Sequence, residues 1–218
     1  QRQMCIRDSR ENCSLMFIRN FGITLSRLTL EDIELVRYWR NSKEIAQVME
    51  YKKFITEEEQ KKWFNSLNPV TDFYFIINYN GVKVGLIHTS HINWKDKTAH
   101  AGLFVWDKNY LGTHIPVLAS LAMLECFFDH LEVEKYFAKV DRSNSVAIRY
   151  NTALGFVLHE KSADSDFDFY VLDKKKYKKL SGKLKRVASR VSSGNSELKI
   201  EPEILAAIKK AVSLNISE

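Results

Sequence analysis

The chain has 218 residues, 45% of them hydrophobic and 12% aromatic, enough for one domain with a sizeable core plus extensions. No apolar run approaches the ~18 residues a membrane span needs, no signal-type stretch opens the chain, and three widely separated cysteines make neither a disulfide framework nor a metal cluster. A cytoplasmic protein without a membrane span is therefore expected, and the charge of +6 is local: nine Lys or Arg and no acid lie between Lys174 and Arg190, leaving a net negative remainder unlike a nucleic-acid-binding core.

In chain order, residues 1–15 open with QRQMCIRDSR, which fits nothing after it and resembles translated adapter read-through. They are expected to be a non-native leader carrying Cys5 and Cys13, with Met16 the natural start. Ile23 to Leu28 is a short strand candidate. Thr29-Leu30-Glu31-Asp32 reads as a capping-box-like helix start, with Ile33, Val36 and Tyr38 or Trp39 inward. Thr56-Glu57-Glu58-Glu59 is a clearer capping box, opening a helix that buries Trp63, Phe64 and Leu67. Phe73 to Tyr79 is a dense strand, and Asn80-Gly81 is a hairpin turn, because both central positions of that turn need positive φ. Val82, Val84 and Leu86 alternate down the returning strand, and Thr98 to Val105 follows the polar turn Asn93 to Lys97. His88 and His91 are expected on opposite faces of the returning strand.

Ile115 to Leu131 is an apolar helix with Leu118, Leu121, Ala122, Cys126 and Phe127 inward. Lys135 to Val140 is a strand, Asn144 caps a helix carrying Ala147, Ile148 and Leu154, and Val157 to Glu160 with Phe167 to Leu172 closes as a hairpin. The order β-α-α-β-β-β-α-β-α-β-β is that of an α/β (α+β) domain over 16–173, a mixed sheet flanked by helices. A helical extension follows: a basic amphipathic helix over 174–191, a linker over 192–200, and a short helix over 201–218 with Pro202 in its first turn.

The segment from Ala99 to Phe156 carries the chemistry. A strand, AHAGLFV, runs into the loop NYLGTHIP and an apolar helix. A helix N-terminus behind a glycine-bearing loop can hold a diphosphate on backbone amides. No Walker-type lysine follows Gly112, which favours a coenzyme A-like ligand over a triphosphate.

These elements, with NSVAIRYNTALGF from Asn144 to Phe156, resemble the GNAT superfamily of acetyl-CoA-dependent N-acetyltransferases over Ile23 to Leu172. The resemblance implies a mostly antiparallel sheet in which the strand Thr98 to Val105 splays from the next one. Leu103, Phe104 and Val105 would then bind the pantetheine arm of acetyl-CoA. Leu111, Gly112, Thr113, His114 and Ile115 would take its pyrophosphate, and Asn144 and Asn151 would complete the cofactor site. Asn109 and His114 stand where relatives carry Gln or Arg and Gly or Ala, so His114 either crowds the phosphates or donates to one. No metal is implied.

Relatives place a basic Glu two residues before the strand glycine. Here that position is His100, and histidine titrates near neutrality, so His100 is the candidate base with His88 second. The position of the relatives' thiolate-protonating tyrosine holds Asn151, and Tyr150 one residue earlier is the candidate acid, with core packing the competing reading. Cys126, inside a helix, is unsuited to an acyl-enzyme. Trp39-Arg40-Asn41 followed by FITEEEQKKWF resembles the branch of pseudaminic-acid-pathway amino-sugar acetyltransferases, related to ribosomal-protein N-terminal acetyltransferases. That implies a nucleotide-activated amino sugar as the amine acceptor, with Arg40, Asn41 and Met49 at its site. Acetylation of protein N-termini or small amines, a non-catalytic acyl-CoA-binding domain and a basic-tail adaptor for an acidic membrane surface or RNA stand as alternatives. A homodimer is compatible with each.

Overall fold

In a computed structural model of the protein, the described residues are 16–192 and 196–216. The expected leader over 1–15, with Cys5 and Cys13, and residues 193–195 of the expected linker lie outside them.

Among the described residues nine strands form one sheet in the order β7-β8-β6-β5-β4-β3-β2-β1-β9. Their bounds are β1 Met16–Asn20, β2 Ile23–Arg27, β3 Phe73–Tyr79, β4 Val82–Asn93, β5 Thr98–Val105, β6 Lys135–Asp141, β7 Val157–Lys161, β8 Phe167–Asp173 and β9 Glu197–Ile200. Every ladder is antiparallel except β5 with β6. The helices are α1 Ile33–Arg40, α2 Lys43–Ala46, α3 Glu57–Ser66, α4 Ile115–Glu125, α5 Ser145–Ala153, α6 Lys174–Val191 and α7 Pro202–Ile216.

Local signals place most of these boundaries. Thr56 Oγ1 accepts from the Glu59 amide while the Glu59 carboxylate accepts from the Thr56 amide, a complete capping box at α3. Asn80 and Gly81 take φ of 49° and 80°. Asn144 Oδ1 accepts from the Ala147 amide at the start of α5. At α1 the expected capping box is inverted. Asp32, not Thr29, precedes the helix, and its carboxylate accepts from both the amide and hydroxyl of Thr29.

Three elements depart from the sequence reading. Met16–Asn20 is a strand, and its partner β9 lies inside the stretch expected as a linker over 192–200. Phe17 pairs with Lys199 and Ile18 with Leu198, a contact between chain ends that no local pattern announces. The expected helix to Leu131 stops as an α-helix at Glu125 and continues as one π-helical turn, Cys126–His130.

The core has two parts. On one sheet face α4 is buried nearly all round, from Ile115 to Leu124, with Tyr177 and Ala188 of α6 and Ile204 and Ile208 of α7 closing over it. On the other face α1, α2 and α3 cover Leu28, Ile76, Leu86 and Trp106. That second layer ends short of β6 and β8, leaving their face partly open beside β5.

Candidate active site

β5 and β6 pair only from Thr98–Lys135 to His100–Phe137. Beyond His100 they part, so the edge of Leu103, Phe104 and Val105 turned toward β6 has no ladder partner, while its other edge stays paired to Ile87, Leu86 and Gly85. The sheet therefore opens as a V with His100 and Phe137 at its vertex.

At the far end of β5 the chain turns into α4. Gly112 takes φ of +75°, which a residue with a Cβ rarely adopts. Thr113 Oγ1 donates to the Tyr110 carbonyl and accepts from the Ile115 amide, and the Thr113 amide donates to Tyr110 as well. Two of the five loop amides are thus already engaged. Those of Leu111, Gly112 and His114 have no protein acceptor among the described residues, and all three residues are exposed. Pro116 occupies the first turn of α4, where an N–H is dispensable. The loop presents free donors and the positive end of a helix, a setting for an anion.

At the vertex the geometry corrects one expectation. A register shift between Ser90 and Asn93 forms a bulge, in which His91 takes φ of +51°. The extra residue brings His91 to the same side as His88, and both Nδ1 atoms lie 3.1 Å from Ser90 Oγ. His91 is also 5.6 Å from the His100 ring, centroid to centroid. The Asp72 carboxylate fixes the bulge by accepting from the His91 amide at 2.9 Å.

His88 stacks on Tyr74 at 4.8 Å, and Trp63 meets Tyr74 edge-on at 5.1 Å. Its imidazole lies over Gly102, where any side chain on β5 would strike Nε2. Burial, then the nearby charges of His91 and His100, push the His88 pKa down to about 4. Burial lowers His100 as well, followed by His91 and Lys139. The glycine in AHAGLFV thus makes room for His88. Tyr74 and Ser90, which complete this group, were not candidates from the sequence, since neither carries a motif.

His100, Phe137, His159, Glu160 and Phe169 line an open hollow of about 220 Å³ on the uncovered face of β6 and β8. Lys139 stands beside it, over the rings of Phe167 and Phe169, and pairs with Glu50 at 2.7 Å. Glu50 belongs to the segment 47–56, which returns from α2 toward α3.

The remaining candidates separate. Arg40 is half-buried near Tyr74, with one guanidinium nitrogen buried and without a partner among the described residues, and burial lowers its pKa. Asn41 is committed to structure: its carboxamide donates to the Ile55 carbonyl at 2.9 Å and accepts from the Ile55 amide at 2.8 Å, pinning the segment 47–56. Met49 packs into the second core. Tyr150 has its hydroxyl committed to α4 rather than free to act as an acid. Its hydroxyl donates to the Pro116 carbonyl at 2.8 Å and pairs with Ser120 Oγ at 2.7 Å, and burial raises its pKa. Asn151 Nδ2 donates back to the Ala147 carbonyl, so a one-residue step along α5 places Tyr150 against α4 and Asn151 along its own helix. His114 is exposed and makes no cap with its side chain. Cys126 is buried, which raises its thiol pKa. Among the described residues no three His, Cys, Asp or Glu side chains are grouped to hold a metal ion, and no helix is long and apolar enough to cross a membrane.

Residues 23–157 match the family described as the acetyltransferase (GNAT) domain. No curated protein matches the chain significantly. Among solved structures, the fold is similar to a spermidine N-acetyltransferase from Vibrio cholerae in complex with CoA and spermine, at 18% identity and TM-score 0.65, over 72% of this chain and 99% of that one. An aminoglycoside acetyltransferase in complex with coenzyme A superposes at 18% identity and TM-score 0.63, over 73% and 99%. A ribosomal L7/L12 α-N-protein acetyltransferase in complex with coenzyme A does so at 14% identity and TM-score 0.64, over 72% and 97%. At these identities the likeness is one of fold.

Proposed function

We propose that this chain, which belongs to the GNAT acetyltransferase family, transfers the acetyl group of acetyl-CoA to the amino group of a nucleotide-linked amino sugar. The observation that carries the reading is the parting of β5 from β6 beyond His100 and Phe137. The pantetheine arm lies along the open edge of Leu103, Phe104 and Val105 like an added strand. Its pyrophosphate takes the free amides of Leu111, Gly112 and His114, with Thr113 and Ile115 holding the loop in shape. Asn144 Nδ2 and Asn151 Oδ1 have no protein partner among the described residues and serve the nucleotide end.

The acceptor enters the hollow as an ammonium. His100, kept neutral at pH 7 by its lowered pKa, takes a proton from it. The freed nitrogen lone pair attacks the thioester carbonyl carbon, a C–N bond forms, and the oxyanion is met by an unpaired N–H of the β5 edge. Attack leaves the nitrogen cationic; collapse then breaks the C–S bond, the nitrogen's second proton passes to water as the neutral amide forms, and coenzyme A leaves as the thiolate without an assigned acid, since Tyr150 is held by Pro116 and Ser120.

Two features support an amino-sugar nucleotide. The rings of Phe137, Phe169 and His159 around the hollow suit the apolar face of a pyranose. The Arg40 guanidinium, whose buried nitrogen has no partner among the described residues, suits a phosphate once the side chain turns outward. A cytoplasmic location follows from the supply of both substrates. Acetylation of a peptide N-terminus or small amine is the second reading, favoured by Glu160, whose carboxylate at the hollow suits any ammonium. Thiol release from acetyl-CoA, measured with amino-sugar nucleotides, peptides and polyamines in parallel, separates them. Release with amino-sugar nucleotides supports the lead reading, and release with peptides or polyamines alone replaces it by the second.

A further inference from the structure

The face of α6 that the fold leaves outside is a row of cations. Lys175, Lys179, Lys183, Arg186 and Arg190 are all exposed, and their spacing of four, four, three and four puts them on one side of the helix. The row is about 22 Å long at the rise of an α-helix. Lys178 is exposed beside it. None of these residues has a carboxylate partner among the described residues, whereas Lys174 and Lys185, off the row, pair with Glu134 and Glu125. A helix of nine Lys or Arg without an acid in its length is electrostatically strained in isolation, and among the described residues carboxylates answer two of its charges.

The opposite face of α6 is already used. Tyr177 and Ala188 are each 2% exposed in the core beneath α4, and Leu184 packs against it. Among the described residues the apolar side chains exposed beside the row are Leu180 and Val187, at 37% and 59%, a narrow apolar face for entering a bilayer. The surface is therefore a rigid line of point charges on a folded base, on the sheet face away from His100. Successive charges recur about once per 5.4 Å helical turn, so a linear polyanion laid along the row meets a cation at every turn.

We propose that this face of α6 docks on the phosphate backbone of a nucleic-acid strand, without reading its sequence. The proposal is independent of the acetyl-transfer reading, because it uses neither the V nor the hollow. Phosphate contacts of this kind release counterions, so the affinity falls steeply with salt.

The test is fluorescence anisotropy of a labelled 20-nucleotide RNA titrated with the full chain between 50 and 200 mM KCl. Five phosphate contacts on a single strand give a log–log salt slope of about −3.5, or a loss of roughly a hundredfold across that range. The variant K175Q/K179Q/K183Q/R186Q/R190Q, whose side chains are all exposed, is expected to lose binding at 50 mM salt while keeping its melting temperature. A control with the same change in net charge, K62Q/K95Q/K135Q/K161Q/K209Q, is expected to keep most of the affinity and the slope; these five are exposed and scattered over other elements. The proposal is overturned by absence of RNA binding at 50 mM salt, or by equal losses in the two variants. Binding to phosphatidylserine vesicles without binding to RNA overturns it equally.

Discussion

His100 faces Phe137 across the last rung between β5 and β6, their rings 5.9 Å apart. One step further along either strand the ladder is gone. His100 thus belongs at once to the paired part of the sheet, to the histidine group around Ser90 and to the hollow beside Phe169 and His159. A base at that vertex can reach a thioester lying in the V and an amine lying in the hollow.

Gly112→Ala tests the anion loop. At φ of +75° a Cβ costs roughly 1–2 kcal/mol, and since nothing lies within 4 Å of the added atom no protein clash contributes. The expected outcome is an acetyl-CoA KM raised about 5- to 30-fold, from one or two weakened hydrogen bonds, with the acceptor KM unchanged. Initial-rate kinetics varying each substrate in turn decide it.

Tyr150→Phe separates a structural hydroxyl from an acid. Loss of the bonds to Pro116 and Ser120 lowers stability by about 1–3 kcal/mol, while kcat stays within about threefold. Urea melts and turnover numbers check both parts, and a kcat loss of about a hundredfold would restore the acid role.

His88 makes stability depend on pH. Its folded-state pKa of about 4 lies below the ordinary 6.5, so the unfolded chain binds the proton more readily. Stability is fully present above about 6.5 and falls as the pH drops through about 4, by at most about 3 kcal/mol. Denaturant melts at pH 7.5 and 4.5 are expected to differ less for His88→Gln than for the wild type.

Asn41→Ala releases the segment that carries Glu50 toward Lys139. With two hydrogen bonds lost, stability falls by about 1–2 kcal/mol. The acceptor KM rises several-fold and the acetyl-CoA KM is unaffected. Steady-state kinetics at fixed saturating acetyl-CoA measure the first effect.

Much of this architecture is legible in the chain because its signals are local. Thr56 to Glu59, Asn80-Gly81 and Asn144 each fix a backbone conformation within four residues, and the structure has the cap or turn each one implies. The departures need partners far away in sequence. β1 and β9 find each other across nearly the whole domain, and β9 is too short to announce itself. The bulge at His91 depends on Asp72 taking its amide, so strict alternation along β4 misplaced that side chain. Asn41 looked like an acceptor ligand until Ile55, fourteen residues on, occupied both ends of its carboxamide. Tyr74 and Ser90 carry no motif, and only the folded sheet sets them beside His88.

The pH dependence of thiol release for the wild type and His100→Ala, at saturating acetyl-CoA and an accepted amine, tests the central assignment most directly. The wild type is expected to lose kcat/KM on an acidic limb below the ordinary histidine range, in line with the lowered pKa of His100. His100→Ala is expected to fall by about 10²- to 10⁴-fold and to lose that limb. A variant that keeps the wild-type rate and the same limb would contradict His100 as the base.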